Sequence, residues 1–377
     1  MPNSTSENLC STNPLFFSSL IHCRYSDDED TSYKIRRSAT KLLAGVVSTR
    51  PELLTTIYKD VSPVLISRFG DREETVRLEV WATYIILLNQ TAVYGGLPQN
   101  KDDLASRGKR KRDAGEMDVE ESPYALLKAQ VPALSKALLN QLKSAKTAPG
   151  TLQAGFSLLQ ALLVVLPGSL STQVISIVTT SKSVLSQSVT TSTSTLHLTC
   201  LSFLALLFST HTPSTFSGSL PTLAPVLLKS VSERHPRVAS ESFRVFSALL
   251  NSLKPVKSTE WAEPVYEQAV AKLTAHDTDA EVRGCAEDCI ADLWVCATDI
   301  VRGKGGREWE CICRTAGKTD GAVKVVTKVA REVQVGDVWV NGCVDWLIGL
   351  LKKSGRAGKP EIFVALDVLL RRYAISL

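Results

Sequence analysis

One short skeleton occurs three times in this chain and constrains its fold more than any other feature. An acidic residue is followed five positions later by valine or isoleucine, and arginine comes next. The three copies are Asp30/Ile35/Arg36, Asp71/Val76/Arg77 and Asp277/Val282/Arg283. A pattern that recurs at one internal spacing is the signature of a repeat protein. The chain is therefore predicted to consist of repeated units.

Each skeleton opens a segment with the period of an amphipathic helix. After Ile35, the apolar residues are Ala39, Leu42, Leu43 and Val46, and the opposite face carries Lys34, Arg37 and Lys41. Similar helix starts occur at positions 35, 76, 152, 196, 238, 282 and 323. Successive starts are 41 to 44 residues apart, except for one interval of 76 residues that contains an insertion.

A second set of helices lies between these starts, often with proline in the expected first turn, where it costs no helical hydrogen bond. The prolines are Pro63, Pro132, Pro225 and Pro264. Two helices in about 40 to 47 residues is the period of HEAT and armadillo repeats. We therefore predict an all-α, HEAT/armadillo-type α-α superhelical solenoid, right-handed, with about seven to eight helix pairs.

The acid-to-arginine spacing favours HEAT repeats, in which these residues form a ladder between neighbouring repeats. The predicted ladder residues are Asp30, Arg36, Asp71, Arg77, Asp277 and Arg283. For any single copy, the alternative is an ordinary acid at a helix start with a solvated arginine.

Composition agrees with an interaction scaffold. The 377 residues are 44% hydrophobic but only 6% aromatic, as in solenoids that cover each helix pair with its neighbours. A net charge of +5 does not indicate a nucleic-acid partner. Nine scattered cysteines favour a reduced, cytoplasmic and nuclear location, and the longest apolar runs are too short to span a membrane. We expect no nucleic-acid and no membrane partner.

No group of residues predicts catalysis, a metal site or a cofactor. Gly317-Lys318-Thr319 resembles the end of a phosphate-binding loop, but Ile312 stands where the motif needs glycine. Cys285, Cys289 and Cys296, with Cys311 and Cys313, allow a zinc interpretation, although cysteines at helical spacing among apolar residues are more often core residues. The five histidines show no catalytic spacing. We expect that the protein is not an enzyme.

Several segments resemble the CAND family, the cullin-associated, neddylation-dissociated exchange factors. The resemblance begins with YSDDEDTSYKIRRSA at 25–39 and continues through VVSTRPELL at 46–54 and VSPVLISRF at 61–69. Later landmarks in the same order are QVPAL at 130–134, VLPGSL at 165–170 and ALDVLL at 365–370. The similarity covers most of 25–298 and returns at about 346–377. It corresponds to the middle of a longer family chain.

The expected organisation follows from the repeats and the resemblance. Residues 1–25 are a ragged first helix and lead, with an acidic turn at 25–30; 26–91 and 123–298 are HEAT repeats; 299–345 is irregular or divergent; and 346–377 is a final helix pair. Residues 92–122 are a disordered charged insertion. Its cluster Lys109, Arg110, Lys111 and Arg112 is a candidate nuclear-import signal or a solvated loop charge run.

The resemblance implies a non-catalytic scaffold that binds a cullin–RING ligase core, cullin plus RING subunit, and regulates SCF-type assembly and substrate-receptor exchange. Because only part of a family chain is matched, we expect a fragment or split half, with room for a second chain that completes the solenoid. Lys34, Arg37 and Lys41 are the candidate contacts, with a plain solvated helix face as their alternative. An importin-like nuclear-transport adaptor is the second interpretation, and it would need an acidic inner surface.

Overall fold

The computed structural model describes residues 14–96, 122–143, 147–302, 321–334, 336–353, 355 and 358–373, with side chains from Ser32 onward. The chain divides into two compact units, 1–126 and 127–377. Within the described ranges the elements are helices, and none of them is a strand, which confirms the predicted all-α class. None of these helices is both long enough and apolar enough to cross a membrane.

The first unit contains two long helices with a shorter helical segment between them. Helix α1 is Pro14–Thr49, α2 is Leu54–Thr56, α3 is Ser62–Ser67 and α4 is Glu74–Tyr94, and a π-helical turn, Ile57–Val61, joins α2 to α3. The acidic turn predicted at 25–30 is wrong, because α1 is helical throughout this stretch. The physical reason is that neither glycine nor proline occurs between Leu15 and Ala44 to end a helix.

Aromatic side chains form the core of the first unit. The rings of Phe69 and Tyr84 meet edge to face with centroids 5.4 Å apart. The Tyr58 and Thr91 hydroxyl oxygens are 2.7 Å apart, and those of Ser62 and Tyr84 are 3.0 Å apart. The phenol groups thus remain hydrogen-bonded although their rings are buried.

The second unit alternates two sets of helices, which we call A and B in chain order within each repeat. The A helices are α5 (Pro123–Leu142, which starts before the unit boundary), α7 (Val174–Leu185), α9 (Pro213–Phe216) with α10 (Leu220–Val231), α12 (Thr259–Thr274), α14 (Thr298–Arg302) and α16 (Asp337–Lys353). The B helices are α6 (Pro149–Val165), α8 (Ser194–Thr210), α11 (Pro236–Leu253), α13 (Ala280–Cys296), α15 (Gly321–Glu332) and α17 (Lys359–Tyr373).

Each B helix of the second unit packs on the next B helix along the chain, in the order α6, α8, α11, α13, α15 and α17. The A helices pack behind them, as α12 does against α13 and α16 against α17. In the first unit, α1 and α4 occupy the B positions and pack on each other. This stacking of helix pairs is the α-α solenoid that the repeat period predicts.

The predicted helix starts locate the buried side of the B helices. The starting residue lies two or three positions inside its helix and is buried in six repeats: Val76, Leu152, Leu196, Val238, Val282 and Val323. The seventh, Ile35, is 69% exposed. Around it, Ala39, Leu42 and Val46 are exposed as well, so the apolar face predicted for α1 is not a buried face in this structure.

The proline prediction holds for Pro63, which lies in the first turn of α3, and is wrong for the other three. Pro132, Pro225 and Pro264 lie inside α5, α10 and α12. The helix begins one or more turns earlier in each case, so each proline removes an internal backbone hydrogen bond. The apolar side of each of these helices is nevertheless buried, as Leu134, Leu227 and Val265 show.

Close packing between elements is visible at three contacts in the second unit. The rings of Phe156 and Phe203 join α6 to α8 with centroids 5.5 Å apart, and Phe246 stacks on Trp261 at 6.0 Å. A Cβ atom at Gly155 would lie 2.5 Å from Cδ2 of Leu142. Glycine at this position therefore permits the close approach of α5 and α6.

Some predicted segments lie outside the described residues. They include 97–121, which contains Lys109–Arg112, and 303–320, which contains Cys311, Cys313 and Gly317–Thr319. At the edge of the predicted 92–122 insertion, residues 92–94 form the last turn of α4, so that helix continues further than expected. Residues 186–193 connect α7 to α8.

Candidate interaction surface

The predicted ladder produces one contact between repeats among the described residues. Arg36 of α1 donates from Nε to Asp71 Oδ2 and from Nη2 to Asp71 Oδ1, both at 3.1 Å. Asp71 Oδ1 also accepts from the Glu73 backbone N–H at 3.1 Å. Burial raises the pKa of Asp71, but the Glu73 N–H and the Arg36 guanidinium outweigh it and hold this pKa below its usual value.

The other two ladder arginines contact backbone carbonyls, which differs from the expected acid pairing. Arg77 Nη1 donates to the Asp71 and Arg72 carbonyl oxygens at 2.8 and 3.3 Å. Arg283, which is buried, donates to the Leu273 and Ala275 carbonyl oxygens, both at 3.1 Å. The last carbonyl oxygens of a helix have no hydrogen-bond donor within that helix. Arg283 therefore provides donors for carbonyl oxygens at the C-terminal end of α12.

The two remaining ladder acids have different outcomes. The side chain of Asp30 lies outside the described residues. Asp277 is exposed, and the acid that caps α13 is Asp279, whose side chain accepts from the Glu281 N–H at 2.9 Å. The carboxylate at this helix start is thus two residues after the predicted ladder acid, because acid spacing alone does not show which carboxylate is the N-cap.

The three candidate contact residues lie on the exposed side of α1, and two of them already have an acidic neighbour. Arg37 Nε is 3.4 Å and Lys41 Nζ is 4.0 Å from Glu79 Oε2 on α4. Lys34 Nζ lies 5.8 Å from the centroid of the Tyr33 ring. The local charge near Glu79 is therefore partly neutralised, which the sequence did not reveal.

The exposed side of the B helices in the second unit, which we call the B face, is uncharged at α6 and α8. Neither helix contains Asp, Glu, Lys or Arg. Polar contacts join them instead: Gln160 Nε2 donates to Ser202 Oγ at 3.0 Å, and Thr195 Oγ1 donates to Gln153 Oε1 at 3.3 Å. These neutral hydrogen bonds link residues 42 positions apart in sequence.

Ion pairs join the following B helices. Arg244 of α11 contacts Glu241 on its own helix at 2.7 Å and Glu281 of α13 at 3.0 Å. Asp292 of α13 lies 2.6 Å from Lys328 Nζ of α15 and also accepts from Asn251 Nδ2 at 3.0 Å. The B face thus changes from neutral at α6 and α8 to charged from α11 onward.

A groove of about 410 Å³ lies where the neutral and charged parts of the B face meet. Its lining residues come from α6, α8, α11 and α13, and they are Ser157, Gln160, Leu198, Thr199, Ser202, Arg237, Glu241, Arg244 and Glu281. Arg237 is exposed and forms no ion pair with the described residues. The groove thus holds two arginines and two glutamates, and both glutamates contact Arg244.

The cysteines considered for zinc lie along α13, and Cys285, Cys289 and Cys296 are buried and free. Burial raises the pKa of the Cys285 and Cys289 thiols and raises that of Cys296 to about 11. Thiols with raised pKa values are poor nucleophiles at neutral pH. Within the described ranges, no three His, Cys, Asp or Glu side chains lie together as metal ligands could.

The sequence reasoning missed the B-face groove and the ion pairs around it. The repeat period was a signal for only one kind of pair: Arg37 and Glu79, which join α1 to α4, are 42 residues apart, whereas Arg244 and Glu281 are 37 apart, outside the interval of 41 to 44 residues. For Arg37 and Glu79, a separation of about one period indicates such a pair; for Arg244 and Glu281 the period does not indicate it. The absence of charge in two consecutive B helices was also readable from the sequence.

Comparison with known proteins gives consistent relationships. Residues 168–290 match the family described as "CAND1-like, TPR repeats". The chain is 31% identical to cullin-associated NEDD8-dissociated protein 1 of Arabidopsis thaliana, across 91% of this chain and 27% of that protein. It is 34% identical to cullin-associated NEDD8-dissociated protein 2 of Mus musculus, across 71% of this chain and 21% of that protein.

A further relative is "Cullin-associated NEDD8-dissociated protein 1, C-terminal part" of Emericella nidulans, at 27% identity across 88% of this chain and 38% of that protein. The chain thus spans well under half the length of each of these three relatives. Among solved structures, importin beta in ammonium sulfate has a TM-score of 0.67 at 13% identity, covering 89% of this chain and 38% of that chain. At this identity the likeness shows the solenoid fold alone.

Proposed function

We propose that this chain, a relative of the cullin-associated NEDD8-dissociated (CAND) proteins, is a non-catalytic scaffold that binds the cullin–RING ubiquitin ligase core. In this role it would regulate SCF-type complex assembly and substrate-receptor exchange. The observation that supports the proposal is the 31% to 34% identity to proteins named for cullin association. The importin-like alternative rests on a fold likeness at 13% identity, so we place it second.

The architecture suits such a role physically. A specific protein–protein interface buries about 1,600 Å² in total, and a row of stacked helices offers such an area without a closed cleft. The second unit stacks six B helices among its described residues, and most of them carry exposed polar side chains. The function therefore needs contact area and charge complementarity, and it needs no reacting group.

The proposal retains Lys34, Arg37 and Lys41 of α1 as contacts for an acidic part of the cullin–RING core. Exposed charges at an interface rim act mainly on the association rate and its salt dependence. Because Glu79 lies beside Arg37 and Lys41, it lowers the positive charge that an approaching partner meets. The alternative, a solvated helix face with no contact, predicts no effect of these residues on binding.

The first experiment measures binding of the purified chain to the cullin–RING core, with and without the ubiquitin-like modifier on the cullin. We expect binding to the unmodified core and weaker binding to the modified one. If the chain does not bind, a chimera in which this segment replaces the equivalent segment of a full-length CAND protein should bind. Failure of both would contradict the proposal.

The second experiment reverses the charge at Lys34, Arg37 and Lys41 together. We expect slower association with the unmodified core, a flatter dependence on salt and an unchanged helical circular dichroism spectrum. Glu79→Gln tests the opposite change in charge. It removes the acid beside Arg37 and Lys41 and should therefore raise the association rate. Lys182→Glu, on A helix α7, is the control for net charge. Equal association rates for all variants would show that α1 is not part of the interface.

The proposal also includes a second chain that completes the solenoid and a location in cytoplasm and nucleus. The exposed apolar residues Ile35, Leu42 and Val46 on α1 support the second chain, since they offer the kind of surface that a further helical repeat covers.

Replacing Lys109–Arg112 with alanines in a fluorescent fusion tests nuclear import. An unchanged nuclear fraction would show that this cluster is not the signal.

A further inference from the structure

The neutral part of the B face is unusual for an exposed helix surface. Four residues of α6 at helical spacing are at least partly exposed, Gln153, Ser157, Gln160 and Val164, and the matching row on α8 is Thr195, Thr199, Ser202 and Leu206. None of these side chains carries a charge, and Val164 is 62% exposed. A solvated helix face normally carries charged and strongly polar residues.

The neighbouring B helices show the usual composition. The exposed rows of α11 and α13 contain Arg237, Arg244, Glu281 and Asp288, and that of α15 contains lysines. A neutral patch bordered by charges shares one feature with a protein interface, whose centre is depleted of charged residues and whose rim is polar. A nucleic acid is a poor fit, because phosphate contacts need lysine or arginine.

The groove at the border adds a charge requirement for the partner. Arg244 is held by two carboxylates, those of Glu241 and Glu281, so its charge is compensated within the chain. Arg237 lines the same groove and has no such acid among the described residues. A partner that covers the neutral patch and brings a carboxylate to Arg237 would supply the direct ion pair that this arginine lacks among the described residues.

We propose that the exposed rows of α6 and α8 form the desolvated centre of a protein–protein interface. The partner presents an uncharged, largely apolar segment to this patch and a carboxylate to Arg237 at its edge. The inference rests on the proposed function in one respect, since it takes the cullin–RING core as the partner. It places the main contact on the second unit, whereas the candidate contacts from the sequence lie on α1.

The decisive variant is Val164→Asp, which puts a charge into the neutral patch at the C-terminal end of the α6 row. Its matched control is Ile175→Asp: Ile175 is 73% exposed on A helix α7, outside the B face. Both side chains are exposed, so neither variant should alter the helical spectrum or the unfolding temperature. We expect Val164→Asp to weaken binding of the unmodified core about tenfold or more, as at an interface hot spot, and Ile175→Asp to leave it within about twofold.

The second variant, Arg237→Glu, tests the charged edge against Lys182→Glu as control. We expect slower association and a reduced salt dependence for Arg237→Glu alone. Sedimentation of the chain without the core is measured for every variant. A shift to monomer on Val164→Asp would show that the patch binds a second copy, which overturns the inference.

The outcomes separate this inference from the proposed function. If the wild-type chain binds the core and Val164→Asp behaves like Ile175→Asp, the interface inference is wrong and the proposed function stands. If neither the wild-type chain nor the chimera binds the core, the proposed function fails and the inference falls with it. Loss of binding confined to Val164→Asp and Arg237→Glu supports both.

Discussion

Helices α1 and α11 have the same place in the repeat pattern but different surroundings. In α11, the first apolar residue, Val238, is buried, and the helix packs between α8 and α13. In α1, the corresponding Ile35 is exposed, and so is Leu42, two helical turns later. Val47 of α1 is buried, and α1 packs against α4. The same sequence pattern therefore yields a buried face only where a second neighbour covers it.

This difference teaches that a repeat pattern specifies an apolar stripe but not its burial. Burial of a side chain of this size stabilises a fold by about 1.5 to 3 kcal/mol, and an exposed one contributes little. The stability of the two regions should therefore respond very differently to equivalent substitutions. Substitutions at buried and exposed positions of these regions should therefore differ in effect by several kcal/mol.

The largest effect is expected for Val238→Asp in α11. A carboxylate would replace a fully buried methyl pair with no partner provided for its charge, so we expect a loss of about 4 kcal/mol or more in the free energy of unfolding. Ile35→Asp is the matched variant in α1 and should change it by less than about 0.5 kcal/mol. Urea unfolding followed by circular dichroism measures both. Similar losses would mean that the flank of α1 is covered in solution.

An intermediate effect is expected for Arg283→Ala. Its guanidinium donates hydrogen bonds to the carbonyl oxygens of Leu273 and Ala275. Without it, these oxygens would lose their donor in a region where water has little access. We expect a loss of about 1 to 3 kcal/mol in the free energy of unfolding. Asp277→Asn is the control, because that side chain is exposed and should tolerate the change. If Asp277→Asn lowered the free energy of unfolding more than Arg283→Ala, the acid ladder would be present in this repeat after all.

A pH-dependent effect is expected for Asp71, which joins α1 to the turn before α4. Its pKa in the folded protein is lowered, so its contribution to stability is present above the usual aspartate pKa of about 3.9 and is lost as pH falls through the folded value. Asp71→Asn should be less stable than the wild type by about 1 to 2 kcal/mol at pH 7. The two unfolding free energies should converge in acid, and a constant difference down to pH 3 would contradict this.

The smallest effect is expected for Lys41→Ala. The ammonium lies 4.0 Å from Glu79 Oε2 and is largely exposed, so the ion pair is weakened by water and salt. We expect a change of less than about 0.5 kcal/mol in the free energy of unfolding, smaller still in 1 M salt. Arg36→Ala serves as the comparison from the same helix, because it leaves the buried carboxylate of Asp71 without its partner. A larger effect at Lys41 than at Arg36 would reverse this ranking.

Much of the architecture could be predicted from local patterns. The 3.6-residue period and the interval of 41 to 44 residues located the starts of α4, α6, α8, α11, α13 and α15 but not that of α1, which begins at Pro14, and the all-α solenoid class was confirmed. The prolines misled because proline was assumed to mark a first turn. At Pro225 and Pro264, helices tolerate an interior proline, and that tolerance is an effect of packing that a local pattern does not contain.

The surface was less predictable. The sequence identified Lys34, Arg37 and Lys41 as exposed cations but not their acid Glu79, and it did not identify the neutral patch at all. Partners such as Arg37 and Glu79 are 42 residues apart, and their distance depends on how two B helices pack. Charge depletion in α6 and α8 could be read in the chain, but its meaning required knowledge of which side of each helix is exposed.

The repeat period, the starts of six helices and the apolar stripe of each of them can be read in the sequence, because they depend on the order of residues within about one repeat. The exposure of the α1 stripe, the pairing of Arg36 with Asp71, the bonds of Arg283 to carbonyl oxygens and the neutral patch beside Arg237 follow only from the folded arrangement. These outcomes depend on the neighbours that each helix acquires and on the distances of a few ångströms between them, over which burial and hydrogen bonding act.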